Sequence, residues 1–160
     1  MVISALTRAA VVAAVSVSVA FAGPALAQQS RVLKIQSAVP PSTTTQDALK
    51  FFADRVDKLT GGQLKIDALP GGAIVPPFEI LDATHKKVID GAYGISYWWF
   101  GKNKAATLFA NTPAGIAGMD AIDFLGWLYD GGGLELWTEF YQKELRLNLV
   151  PFPSIAPSPQ

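Results

Sequence analysis

The densest run of side chains able to grip a ligand is Tyr97-Trp98-Trp99-Phe100. A phenol hydroxyl and an indole N–H can each fix one polar group of a ligand, while the ring faces cover its apolar part. On a buried strand the same aromatics are simply core. Strand alternation puts Tyr97 and Trp99 on one face and Trp98 on the other, so all four cannot be core together. Those left over at a strand's carboxyl end line a cleft.

Other candidates for chemistry are weaker. His85 is the only histidine, and it stands in a helical stretch between Thr84 and Lys86. That setting suits a half-solvated surface residue better than a general base. With one histidine and no cysteine in the sequence, thiol nucleophiles, Cys-ligated zinc and histidine metal clusters are excluded. Gly131-Gly132-Gly133 follows a helical stretch rather than a strand, and no Lys-Ser or Lys-Thr comes after it, so it reads as a helix–helix corner and not a phosphate loop. Asp120 and Asp123 lie one turn apart at a helix start, where capping and the helix dipole account for them. No carboxylate pair, Ser/His/Asp set or Ser–Lys signature stands out, which leaves the case for an enzyme weak.

The elements that must position these residues alternate between two periods. Val32–Gln36 and Gln63–Leu69 read as half-buried strands. Between them, Thr43 and Gln46 fit a capping box, and Ala48, Phe51, Phe52, Val56 and Leu59 make one apolar stripe of a helix ended by Gly61-Gly62. Pro76-Pro77 opens a second helix expected to run to about Asp90, with Phe78, Leu81, Val88 and Ile89 inward. Ala92–Trp99 is expected as a third strand. Met119–Asp130 and Leu134–Leu145 read as two helices, and Leu147–Val150 as a fourth strand. Strand–helix–strand–helix–strand with short connections predicts an α/β fold around a parallel sheet. Ligands of such sheets sit beyond the carboxyl ends of the strands. That rule selects Ala38–Thr45, Tyr97–Lys102 and Pro151–Gln160, and the first of these also opens a helix whose free N–H groups favour an anion.

The front of the chain is of a different kind. Arg8 precedes a short apolar run from Ala9 to Gly23, Pro24 breaks it, and Ala25-Leu26-Ala27 offers the small residues read by a signal peptidase. Residues 1–27 are therefore expected to be a secretory signal, with a mature chain starting at Gln28. The apolar run is shorter than the roughly 20 residues of a membrane span. Loss of Arg8 takes the 13 basic side chains to 12 against 13 acidic ones, a net charge of about −1. Such a balance gives no electrostatic footprint for nucleic acid or an anionic membrane.

Several stretches, in order, resemble the receptor subunits of tripartite ATP-independent periplasmic (TRAP) transporters. They are Gly61-Gly62-Gln63-Leu64-Lys65-Ile66, the Pro70-Gly71-Gly72 turn, Ser96 to Lys102, Phe109 to Pro113, Trp127 to Trp137, and Phe140-Tyr141. The run Gly131-Gly132-Gly133-Leu134-Glu135-Leu136-Trp137 after Trp127-Leu128-Tyr129 is the most specific, and is similar to the branch that binds 2-oxo acids and related monocarboxylates. The resemblance implies a two-lobed periplasmic fold that closes on a small organic acid and hands it to a membrane permease, without chemistry. It implies that Tyr97 and Trp98 line the cleft, and that Gln160 contacts both the ligand and a sodium ion. It also implies that residues 28–160 are an incomplete first lobe, since family members run to more than twice this length and carry their carboxylate-binding arginine further on. Two other readings stay open: a periplasmic α/β enzyme, and a partner-binding domain that uses its exposed aromatics as a contact surface.

Overall fold

The computed structural model describes residues 30–110 and 120–153; the expected signal segment and Gln160 lie outside them. Three parallel strands form the sheet, β1 (Arg31–Ser37), β2 (Leu64–Leu69) and β3 (Gly91–Tyr93), in the order β2-β1-β3. β1 pairs with β2 from Arg31 opposite Leu64 to Gln36 opposite Leu69, and with β3 from Ile35 opposite Gly91 to Ser37 opposite Tyr93. The chain steps outward from β1 to β2, then returns past β1 to β3. All three carboxyl ends lie on one edge, and the winding reverses at the β1/β3 pair.

Helix α1 (Thr44–Leu59) connects β1 to β2. Thr43 caps it as expected, its side chain accepting a hydrogen bond from the Gln46 backbone N–H at 3.2 Å. The reciprocal half of the capping box is absent, because the Gln46 side chain is used elsewhere. It accepts from Ser37 Oγ at 2.5 Å and donates through Nε2 to the Ala68 carbonyl at 3.0 Å. These bonds turn Gln46 and Leu49 toward the sheet. The inward face is consequently not the expected stripe: Ala48, Phe51, Phe52 and Leu59 are exposed, and only Val56 of that set is half-buried. The Arg55 guanidinium lies 4.9 Å from the centroid of the exposed Phe51 ring, and Phe52 lies 6.1 Å from Phe152.

The expected second helix is shorter than its sequence suggests. A 3-10 turn (Pro77–Glu79) leads into α2 (Ile80–His85), which ends at Lys86. Lys87 then takes a left-handed φ of 60°. Leu81 and Ile89 are buried as expected, whereas Phe78 and Val88 point outward. Helices α3 (Ala121–Tyr129) and α4 (Gly133–Glu139) meet at the glycine corner. Gly132 has φ +80°, and a Cβ on Gly133 would stand 2.8 Å from the Trp127 ring, so the run serves a tight helix–helix turn. Asp120 caps α3, accepting from the N–H groups of Ile122 and Asp123, each at 2.8 Å.

The main core gathers Ile80, Leu81, Ile89, Trp99, Ala106, Phe109, Phe140, Tyr141 and Leu147. At its centre Phe109 stacks on Trp137, with centroids 5.7 Å apart and planes 9° from parallel. After α4 the helix loosens into a π turn (Phe140–Glu144). The expected fourth strand, Leu147–Val150, is instead irregular chain. Its backbone groups bond outside the sheet: Leu147 N–H donates to the Tyr141 carbonyl at 2.9 Å, Asn148 N–H to His85 Nδ1 at 2.9 Å, and the Leu149 carbonyl accepts from the Gln142 side chain at 3.3 Å. Bound to the π turn in this way, it does not join the sheet.

Candidate functional site

The carboxyl edge of the sheet is built from buried polar side chains. Gln36, fully buried, accepts from the backbone N–H groups of Ile74 at 2.9 Å and Val75 at 3.1 Å, and donates to the Val75 carbonyl at 2.7 Å. Ser37, also fully buried, reaches Gln46 at the start of α1. One strand end therefore anchors both the loop after β2 and the first turn of α1. The Pro70-Gly71-Gly72 turn closes against the loop after β1, with Gly71 N–H donating to the Val39 carbonyl at 2.8 Å. A Cβ on Gly71 would lie 3.0 Å from that carbonyl oxygen, so the close approach favours glycine. Ala38 N–H donates to the Tyr93 carbonyl at 3.0 Å and continues the β1/β3 pairing to the very edge.

The aromatic run sits just past this edge. Ser96–Trp99 forms a 3-10 turn and not the end of a strand, because β3 stops at Tyr93 and the chain turns at Gly94-Ile95. The expected alternation of faces is replaced by the rotation of a helical turn. Trp99 goes into the core, Trp98 is half-buried, and Tyr97 is 46% exposed. Tyr97 and Trp98 meet edge-to-face, with centroids 5.8 Å apart and planes at 75°. Trp98 in turn meets Phe78, with centroids 6.3 Å apart and planes at 86°. The structure thus brings Tyr97 and Trp98 together at the expected edge and adds Phe78. Sequence reasoning had placed Phe78 in the core by counting apolar spacing. The signal that bears on it is Pro76-Pro77, since proline marks a helical start and so puts Phe78 in the opening turn, ahead of the packed helix.

Below the aromatics two buried polar groups, Ser96 Oγ and Trp99 Nε1, have no partner among the described residues. Lys102 pairs with Asp82 at 2.7 Å and joins the end of the aromatic segment to α2. His85 lies elsewhere, at the carboxyl end of α2. Its Nδ1 accepts from the Asn148 backbone N–H at 2.9 Å, a structural tie that holds the chain after the π turn. A shallow open hollow there is lined by His85, Gln142, Arg146, Leu147 and Asn148. Asp120 and Asp123 serve α3. Among the described residues no three His, Cys, Asp or Glu side chains assemble as a metal site. Nor is any described helix long and apolar enough to cross a membrane.

No protein-family model matches the sequence. Individual relatives do. The chain is 30% identical over 115 residues, 72% of its own length, to the monocarboxylate 2-oxoacid-binding periplasmic protein of Nostoc sp., of which it spans 30%. Among solved structures, a TRAP periplasmic solute binding protein from Rhodobacter sphaeroides in an apo open form superposes with a TM-score of 0.61 at 31% identity, over 68% of this chain and 34% of that one. Two others, each at 26% identity and TM-score 0.61 over 72% of this chain and 34% of theirs, hold pyruvate. The protein from Colwellia psychrerythraea holds calcium with it, and the one from Pseudoalteromonas atlantica holds sodium. The chain thus spans about a third of the length of the relatives it matches. The α/β parallel-sheet architecture is the one these two-lobed neighbours have over the matched third. In both sequence and fold, the chain belongs with the TRAP periplasmic solute-binding proteins.

Proposed function

We propose that the protein is an extracytoplasmic receptor for a small organic acid of the 2-oxo or monocarboxylate class, which it delivers to a membrane permease. It performs no reaction of its own. The observation that carries this reading is the Tyr97–Trp98 pair, held partly exposed beyond the carboxyl ends of β1 and β3 where the winding reverses. Open α/β sheets bind ligands at that place. In this reading the Tyr97 hydroxyl donates to a ligand oxygen and the Trp98 ring covers the acid's carbon skeleton. The first turn of α1 adds a favourable potential for the carboxylate. Gln160, outside the described residues, is proposed to contact the acid and an accompanying sodium ion. The 2-oxo acid class is supported by what the Nostoc relative is named for and by the pyruvate held in two of the solved neighbours. Periplasmic residence is supported by the residues 1–27 pattern and by the relatives' own location.

Calorimetric titration of the protein isolated at its native length from its own cells tests the reading. Pyruvate, with sodium or calcium present, is expected to bind saturably, and a neutral sugar is not. Saturable sugar binding with no heat from any 2-oxo acid would refute it.

A further inference from the structure

We propose that Phe78 is a specificity-determining wall of the acid site, acting through Trp98 and by its own ring on the acid's hydrocarbon end; this rests on the carboxylate-receptor reading above. Phe78 is 67% exposed, yet it stands on a rigid base. Pro76 and Pro77 fix the backbone before it, and the fully buried Ile80 anchors the turn after it. Gln36 clamps the preceding loop at Ile74 and Val75. An aromatic ring held toward solvent on so fixed a stem is poised for contact.

Its partners define what it contacts. Phe78 and Asp82 lie four residues apart on the turn and helix 77–85, and Trp98 and Lys102 lie four apart on the facing segment. Phe78 meets Trp98 edge-to-face at 6.3 Å, and Asp82 meets Lys102 at 2.7 Å. The two segments are fastened at matched positions, by a ring contact at one point and an ion pair at the other. The ring contact sets the tilt of Trp98, and Trp98 in turn supports Tyr97. A ring in this position borders the site on the side away from Tyr97. It limits the size of the acid's carbon substituent, and leaves the carboxylate to the polar side.

The test compares wild type, Phe78→Ala and Phe78→Tyr, each at native length, against pyruvate, 2-oxobutyrate and 2-oxoisovalerate. Because Phe78 is exposed, all three proteins are expected to melt together. Phe78→Ala is expected to shift the preference between pyruvate and 2-oxoisovalerate by about tenfold, the discrimination that one or two methylenes give in an apolar pocket. It is also expected to change the Trp98 fluorescence maximum without ligand. Phe78→Tyr keeps the ring and is expected to keep both the wild-type ranking and the wild-type spectrum. Binding with an unchanged ranking in Phe78→Ala overturns the role of Phe78. Failure of the wild type to bind any of the three acids overturns the receptor reading itself, which is a different result.

Discussion

At the scale of single residues, exposure separates the side chains proposed to serve a ligand from those that serve the fold. Tyr97 is half out of the structure, so Tyr97→Phe is expected to leave the melting temperature unchanged. Its effect should fall on acid affinity instead, by roughly 1.5–3 kcal/mol if the hydroxyl donates to a charged carboxylate. Measuring affinity and melting on the same protein checks both halves of that statement. Gln36 is the opposite case. Gln36→Leu leaves the Ile74 and Val75 backbone groups unpaired, at about 1–3 kcal/mol for each group that stays buried, and chemical denaturation reads the loss. Tyr141 adds a pH dependence. Burial pushes its hydroxyl up to about 12, above the ordinary tyrosine value near 10. The folded state therefore holds this proton where the unfolded chain releases it. Its contribution is fully present below about pH 10 and is lost as pH rises toward about 12, amounting to ~2–3 kcal/mol. Tyr141→Phe is expected to remove that part of the alkaline slope in stability measured from pH 9 to 12.

Local rules read the elements well where backbone chemistry decides, and less well where a tertiary contact does. The strands β1 and β2, the Thr43 and Asp120 caps and the glycine corner were all legible, since alternation, N-cap side chains and positive φ each leave a residue-level mark. The inward face of α1 was not. Apolar counting selected Phe51, Phe52 and Leu59, whereas the helix is turned by the hydrogen bonds of Gln46, a polar residue that no hydrophobic period reports. The end of β3 was misread for a related reason. Tyr97-Trp98-Trp99 has high strand propensity, but β1 ends at Ser37, opposite Tyr93, and offers no further residues to pair. The aromatic run still falls at the carboxyl edge, because the chain leaves the sheet there whether or not the strand continues. At the α3–α4 corner, Gly133→Ala would drive a methyl into the Trp127 ring and is expected to cost ~1–3 kcal/mol of stability by overpacking. A thermal melt with no change would mean that Trp127 can move aside.

For the molecule as a whole, the proposed function needs an exported chain whose open α/β edge turns aromatic rings toward a small anion. Export has its own check, since the protein recovered from outside the cytoplasm is expected to begin at Gln28. Retention of Met1 there would contradict the reading of residues 1–27. The central claim is that the Tyr97–Trp98 edge contacts a small carboxylate, and the most direct measurement follows the indole N–H resonances of the native-length protein during a pyruvate titration. Assignment by Trp98→Phe identifies the Trp98 signal, and that resonance is expected to shift saturably while those of the core residue Trp99 and the stacked Trp137 stay in place. Saturable binding that leaves the Trp98 resonance unmoved would contradict the account.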